Sequence, residues 1–179
     1  PMSDTAQSVA NYVQRLSRRD PTLEWINLFD KQLTDAELAE LADCLLAHPD
    51  VVTHIRLAYN QLTDETGVKL ARYLAASSTI QLLSMSNNQF GSATYLALAA
   101  ALRVNSSLRA LYLYNNQAVD QTRIDAAFIE ALRLNPVRPA ESDWQLYSSD
   151  WDDIDFKRLK HAADELGHPS LQLLLALLC

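Results

Sequence analysis

Glycine is scarce, with three in 179 residues. A phosphate-cradling loop needs several glycines at close spacing, so none of that kind is expected. Cysteine is scarcer still: Cys44 and Cys179 stand alone, with no C-x-x-C pair. Nothing therefore points to a disulfide framework or a thiolate zinc site. The four histidines, His48, His54, His161 and His168, fall on separate segments without H-x-x-x-H spacing, and no metal site is expected. Basic residues are in deficit, with 15 Lys+Arg against 22 Asp+Glu and a net charge of −7. That balance repels nucleic acid and anionic membranes, and no local basic patch overrides it. Neither is expected as a partner. Long apolar runs are missing too, because the uncharged stretch 79–101 is broken by Ser, Asn, Gln and Gly. The opening Met2-Ser-Asp-Thr-Ala-Gln carries no basic n-region and no apolar h-region, so no secretory signal is read there.

What the chain does have is hydrophobic material (49%) arranged with a period. Val52, Ile55, Leu57, Asn60 and Leu62 fit the spacing L-x-x-L-x-L-x-x-N-x-L at every position. The frame returns at Ile80, Leu83, Met85, Asn88 and Phe90, and again at Leu108, Leu111, Leu113, Asn116 and Ala118. An earlier copy, Leu23, Ile26, Leu28 and Leu33, has Lys31 in the asparagine position. Starts at 23, 52, 80 and 108 define a period of 28 to 29 residues, the mark of a repeat architecture.

Within each copy, pairs such as Ile55/Leu57 and Leu83/Met85 alternate with polar neighbours, which is strand periodicity. The residues after them change to helical spacing, as in Leu38, Leu41, Cys44 and Leu45 or Leu70, Ala71, Tyr73 and Leu74. A strand that pairs in parallel with the next strand requires such a crossover helix. Cys44 on that apolar stripe is read as a buried small hydrophobe. Thr34-Asp35 and Thr63-Asp64 read as helix N-caps, and Asn105 as a residue closing a helix at its C-terminus. Asn60, Asn88 and Asn116 are expected to form a structural ladder, each amide satisfying backbone groups where the chain leaves its strand.

The ends of a repeat array need covers. Val9, Tyr12, Val13 and Leu16 predict a helix over 5–19. The domain reading is one unit over 1–179: a helical cap at 2–22, four regular repeats at 23–135, and degenerate repeats or cap at 136–179. Asp150, Asp152, Asp153 and Asp155 in that last part read as acids complementing a helix dipole. Leu171–Leu178 is apolar at positions that are polar in earlier strands, and is a candidate for self-association.

The frame and its 28/29 spacing resemble the ribonuclease-inhibitor-like leucine-rich repeats, over about residues 20–135. They are also similar to the repeats of NOD-like receptors, Ran GTPase-activating proteins and several secreted bacterial effectors. The resemblance implies an α/β solenoid, a right-handed horseshoe arc of five to six repeats including caps. Parallel strands would line its concave face and helices its convex face. It implies a protein-binding module, such as a bacterial effector acting on a host protein, or alternatively a regulator of a partner enzyme (a GTPase activator or an inhibitor). The corresponding location is cytoplasmic, or secreted into a host cell without a cleavable N-terminal signal.

The strand frame also selects the side chains that face away from the helices. Among those positions are Trp25, Phe29, His54, Arg56, Ala58, Tyr59, Ser86, Arg109, Tyr112, Tyr114 and Tyr147. Six of the chain's 14 phenylalanines, tryptophans and tyrosines fall there. A plain scaffold does not need aromatics in solvent-facing positions, and aromatics with arginine are the types enriched at binding hot spots. Trp25, Phe29, His54, Arg56, Tyr59, Arg109, Tyr112, Tyr114 and Tyr147 are therefore the expected contacts for a partner protein. The competing explanation is cross-strand stacking that only stabilises the sheet. No catalytic residue and no cofactor are expected, and the chain is not read as an enzyme.

Overall fold

The computed structural model describes residues 4–134. Tyr147, Asp150–Asp155, the segment 136–179 and Leu171–Leu178, for which the sequence raises expectations, lie outside them. Helix α1 (Asp4–Ser17) is followed by four strand–helix units. These are β1 (Trp25–Asn27) with α2 (Asp35–Ala47), β2 (His54–Arg56) with α3 (Asp64–Ala76), β3 (Leu82–Ser84) with α4 (Ser92–Leu102), and β4 (Ala110–Tyr112) with α5 (Gln121–Leu134). Helix α1 is shorter than the predicted 5–19: Arg19 takes φ 50° and turns the chain into the loop before β1.

The sheet is parallel in the order β1-β2-β3-β4. Its register follows the repeat, with Ile26, Ile55, Leu83 and Leu111 aligned across all four strands. These four are fully buried and join Leu41, Leu45, Leu70, Leu74, Leu98 and Phe128 of the helices in one core. The sheet therefore has one face on the helices and one away from them. Pairing continues past the three-residue strands, with Leu57 N–H donating to Ser84 O at 2.8 Å and Tyr59 N–H to Ser86 O at 3.1 Å. Along β1, Tyr12 of α1 accepts from the Asn27 N–H at 3.2 Å, so the first helix also holds the first strand.

Three sets of polar side chains tie each unit to the next. The Asn60 amide accepts from Leu33 N–H at 2.9 Å and Lys31 N–H at 3.1 Å, and donates to Leu28 O and Leu57 O at 2.8 Å each. Asn88 accepts from Leu62 N–H and donates to Leu57, Met85 and Ser86 carbonyls. Asn116 accepts from Phe90 N–H and donates to Met85 and Leu113 carbonyls. The second set lies at the helix starts. The Asp35 carboxylate accepts from Thr63 N–H, Thr63 Oγ1 and Thr66 N–H of the following unit. Asp64 does the same for Gly91 N–H at 2.7 Å and Thr94 N–H at 3.1 Å. Thr34 and Thr63 are the N-caps of α2 and α3, as the sequence suggests, while the acid that follows each of them caps the start of the next helix. The third set lies in the return loops. Asn105 follows α4 as expected, its N–H donating to Ala101 O at 3.0 Å; it is buried, and its amide donates to Leu74 O at 2.7 Å and Ser77 O at 2.9 Å of the preceding unit.

These carboxylates make stability depend on acid. Burial would raise the Asp35 pKa, but the donors from Thr66 and Thr63 outweigh it and hold the group below its ordinary 3.8. Asp20 is drawn down to about 2 by Thr22 and Arg15, and Glu37 and Asp50 are lowered by Thr34 and Ser78. A depressed folded pKa means the stabilisation is fully present above the unfolded value and disappears as pH falls through the folded one. The urea midpoint should therefore be flat near neutrality and fall below about pH 4. Asp35→Asn should lower the midpoint at pH 7 and reduce that acid slope. An unchanged slope would remove Asp35 from this account.

Candidate functional site

The face away from the helices is built row by row by the register. Trp25 stands opposite His54, then Leu82 and Ala110, and Asn27 stands opposite Arg56, Ser84 and Tyr112. Trp25 and His54 stack with centroids 4.0 Å apart and planes 4° from parallel. The Arg56 guanidinium lies over the same indole, 5.2 Å from its centroid, close enough for a cation–π contact. One turn of chain later Phe29 and Tyr59 meet at 5.2 Å in a tilted pair. Thr53 Oγ1 lies 2.8 Å from His54 Nδ1, and its hydroxyl donates to Glu24 O at 3.0 Å, which fixes it where it orients the ring. Partial burial and the charge of Arg56 lower the His54 pKa below its ordinary value against the pull of Glu24.

Cross-strand stacking is thus present, yet it does not hide the rings. Trp25 remains 45% exposed, Phe29 48% and Tyr59 48%. Tyr114 is 38% exposed and Tyr112 is half-buried, both at β4, two strand spacings (about 10 Å) from β2. Arg109 is half-buried and its guanidinium donates to Ser106 and Leu108 carbonyls. The structure therefore gathers Trp25, Phe29, His54, Arg56 and Tyr59 into one patch on β1 and β2. Arg109, Tyr112 and Tyr114 form a second group across β3. Two positions expected to face solvent do not. Ala58 is 3% and Ser86 0% exposed, because their short side chains cannot stand clear of larger neighbours in the same rows.

Backbone geometry adds an observation the sequence did not reveal. In every unit the residue just before the ladder position is left-handed: Asp30 (φ 52°), Tyr59 (φ 61°), Asn87 (φ 54°) and Asn115 (φ 54°). Asp and Asn tolerate that region, whereas an aromatic residue there stores about 1 kcal/mol of strain. Tyr59 is the misfit of the series, and it is half exposed beside Phe29. Sequence reasoning could have found it by comparing position 59 with its copies at 30, 87 and 115.

Among the described residues, no group of three His, Cys, Asp or Glu side chains is placed to hold a metal ion, and no helix is long and apolar enough to cross a membrane. The Cys44 thiol packs between α1 and α2, 3.7 Å from Val13 O and 3.5 Å from Ser17 Oγ.

Two solved structures share this architecture. The C-terminal domain of tropomodulin from Caenorhabditis elegans superimposes with a TM-score of 0.70 at 18% identity, covering 87% of this chain and 91% of that one. The structure titled leiomodin-1 actin-binding site 2 gives 0.65 at 18% identity, covering 88% of this chain and 95% of that one. The fold is leucine-rich-repeat-like. No protein-family model and no curated protein matches the sequence. At this identity the likeness is one of fold alone. The aromatic patch belongs to this chain's own residues.

Proposed function

We propose that this chain is a protein-binding module that takes its partner on the sheet face away from the helices, with Trp25, Phe29 and Tyr59 as the anchors. The observation that carries the reading is the half-exposed ring cluster on β1 and β2, one ring of which sits on strained backbone. Large rigid rings bury much area at low entropic cost, and strain retained at an exposed position is expected where the side chain does work. The fold is compatible, since one structural neighbour is titled an actin-binding site, although a shared fold alone does not transfer a partner. The finer reading, a bacterial effector meeting a host protein on the concave side of a repeat arc, rests on the 28/29 frame and would be carried by capture from host lysate.

Tyr59→Asn separates the two roles of the ring. Relief of backbone strain should leave the melting temperature unchanged or raise it by a few degrees. Capture of the partner should fall at least tenfold, as expected when a hot-spot aromatic is removed. Trp25→Ala should reduce capture similarly. Retained capture in both variants would sink the assignment of this patch.

A further inference from the structure

The charges around the patch carry the reading one step further. Arg56 is exposed, is held over the Trp25 ring at 5.2 Å, and makes no ion pair among the described residues. The two ion pairs found there, Arg15 with Asp20 and Lys69 with Asp43, lie elsewhere. Glu24 is near enough to act on His54 but does not bridge to Arg56, and Asp30 sits in the bend beyond Phe29. In a chain of net charge −7 this leaves a guanidinium unpaired at the centre of the most aromatic part of the surface. A guanidinium laid on an aromatic face is already desolvated on one side and restricted in rotation, while its N–H groups can still meet a carboxylate in two parallel hydrogen bonds. Phe29 and Tyr59 stand in the adjoining rows, so an occupant that neutralises Arg56 also reaches two half-exposed rings.

Resting on the reading of this face as a protein-binding surface, we infer that the patch recognises an exposed segment of a partner protein in which a Glu or Asp side chain is flanked by apolar residues. The carboxylate pairs with Arg56, and the apolar neighbours cover Trp25, Phe29 and Tyr59. A segment with a basic residue in that place is rejected, because it would set two cations together on a face that excludes water when bound.

Three short peptides test this, identical in their Leu and Phe flanks and carrying Glu, Gln or Lys at the centre. Each is titrated into the full chain, and the indole N–H signal of Trp25, assigned by its loss in Trp25→Phe, is followed by NMR, which reads millimolar affinities. The Glu peptide should bind at least tenfold more tightly than the Lys peptide. Arg56→Gln should remove that preference, so that the Glu and Lys peptides then bind within twofold of each other. Equal binding of all three peptides, or a Glu preference that survives Arg56→Gln, overturns the acidic specificity but leaves the face as a binding surface. Absence of binding by every peptide, together with undiminished partner capture by Trp25→Ala, overturns both.

Discussion

Asn88→Ala should destabilise the chain by about 3 kcal/mol, seen as a fall of about 10 °C in melting temperature. The size follows from what the amide does. It is 7% exposed, accepts from Leu62 N–H at 3.1 Å, and donates to Leu57 O at 2.9 Å, Ser86 O at 3.1 Å and Met85 O at 3.2 Å. These partners come from two consecutive units, so truncation strands backbone groups on both sides of the joint, and each buried orphan costs about 1–3 kcal/mol. Packing makes a smaller contribution, and Asn88→Asp shows why. The shape is nearly kept, but an ionised oxygen would replace the donor and face three carbonyls. At pH 7 that variant should be at least as unstable as the alanine one. Asn116→Ala should cost less, because Asn116 is only half-buried and water can replace part of its contacts. Equal losses at 88 and 116, or a mild Asn88→Asp, would show that the ladder acts through packing.

Asn60, Asn88 and Asn116 were readable in the sequence because each is pinned by apolar residues at fixed spacing on both sides. The same spacing placed Ile26, Ile55, Leu83 and Leu111 in one buried row and located all four strands. What escaped were bonds whose two ends lie a full period apart. Asp35 reaches Thr63 and Thr66, and Asp64 reaches Gly91 and Thr94, yet an acid in the first turn of a helix is equally well explained by that helix's own dipole. Asn105 was legible as a residue at a helix C-terminus, but the Leu74 and Ser77 carbonyls that its amide holds lie in the preceding unit, about a period away. At the candidate site the period placed Trp25 against His54. That Arg56 leans over the indole, and that Tyr59 rests on strained backbone, depend on rotamers and dihedrals that spacing does not encode.

Gly67→Ala should likewise destabilise, although alanine is the better helix former by about 1 kcal/mol. Gly67 is buried in α3, the helix that packs against α4. A Cβ built there would fall 2.0 Å from Thr94 Oγ1, 2.6 Å from its Cγ2 and 2.8 Å from its Cβ. No van der Waals contact is that short, so the helices must separate or Thr94 must leave its place. Thr94 is not free to swing away: its backbone N–H donates to Asp64 at 3.1 Å, its hydroxyl donates to the same carboxylate, and the side chain is fully buried. Yielding would therefore break the carboxylate joint between two units as well as the packing. A net loss of about 2–3 kcal/mol is expected, toward the upper end for overpacking by one methyl group. A double-mutant cycle isolates the cause. Thr94→Ala alone should cost about 1 kcal/mol for the lost hydroxyl bond. Added to Gly67→Ala, it removes the two closest clashing atoms but leaves the Cβ. The double variant should then be more stable than the sum of the singles by at least 1 kcal/mol, a coupling within the range for residues in direct contact. Additive losses would place the cost of Gly67→Ala somewhere other than this helix contact, and a stabilised Gly67→Ala would show that α3 and α4 can part without penalty.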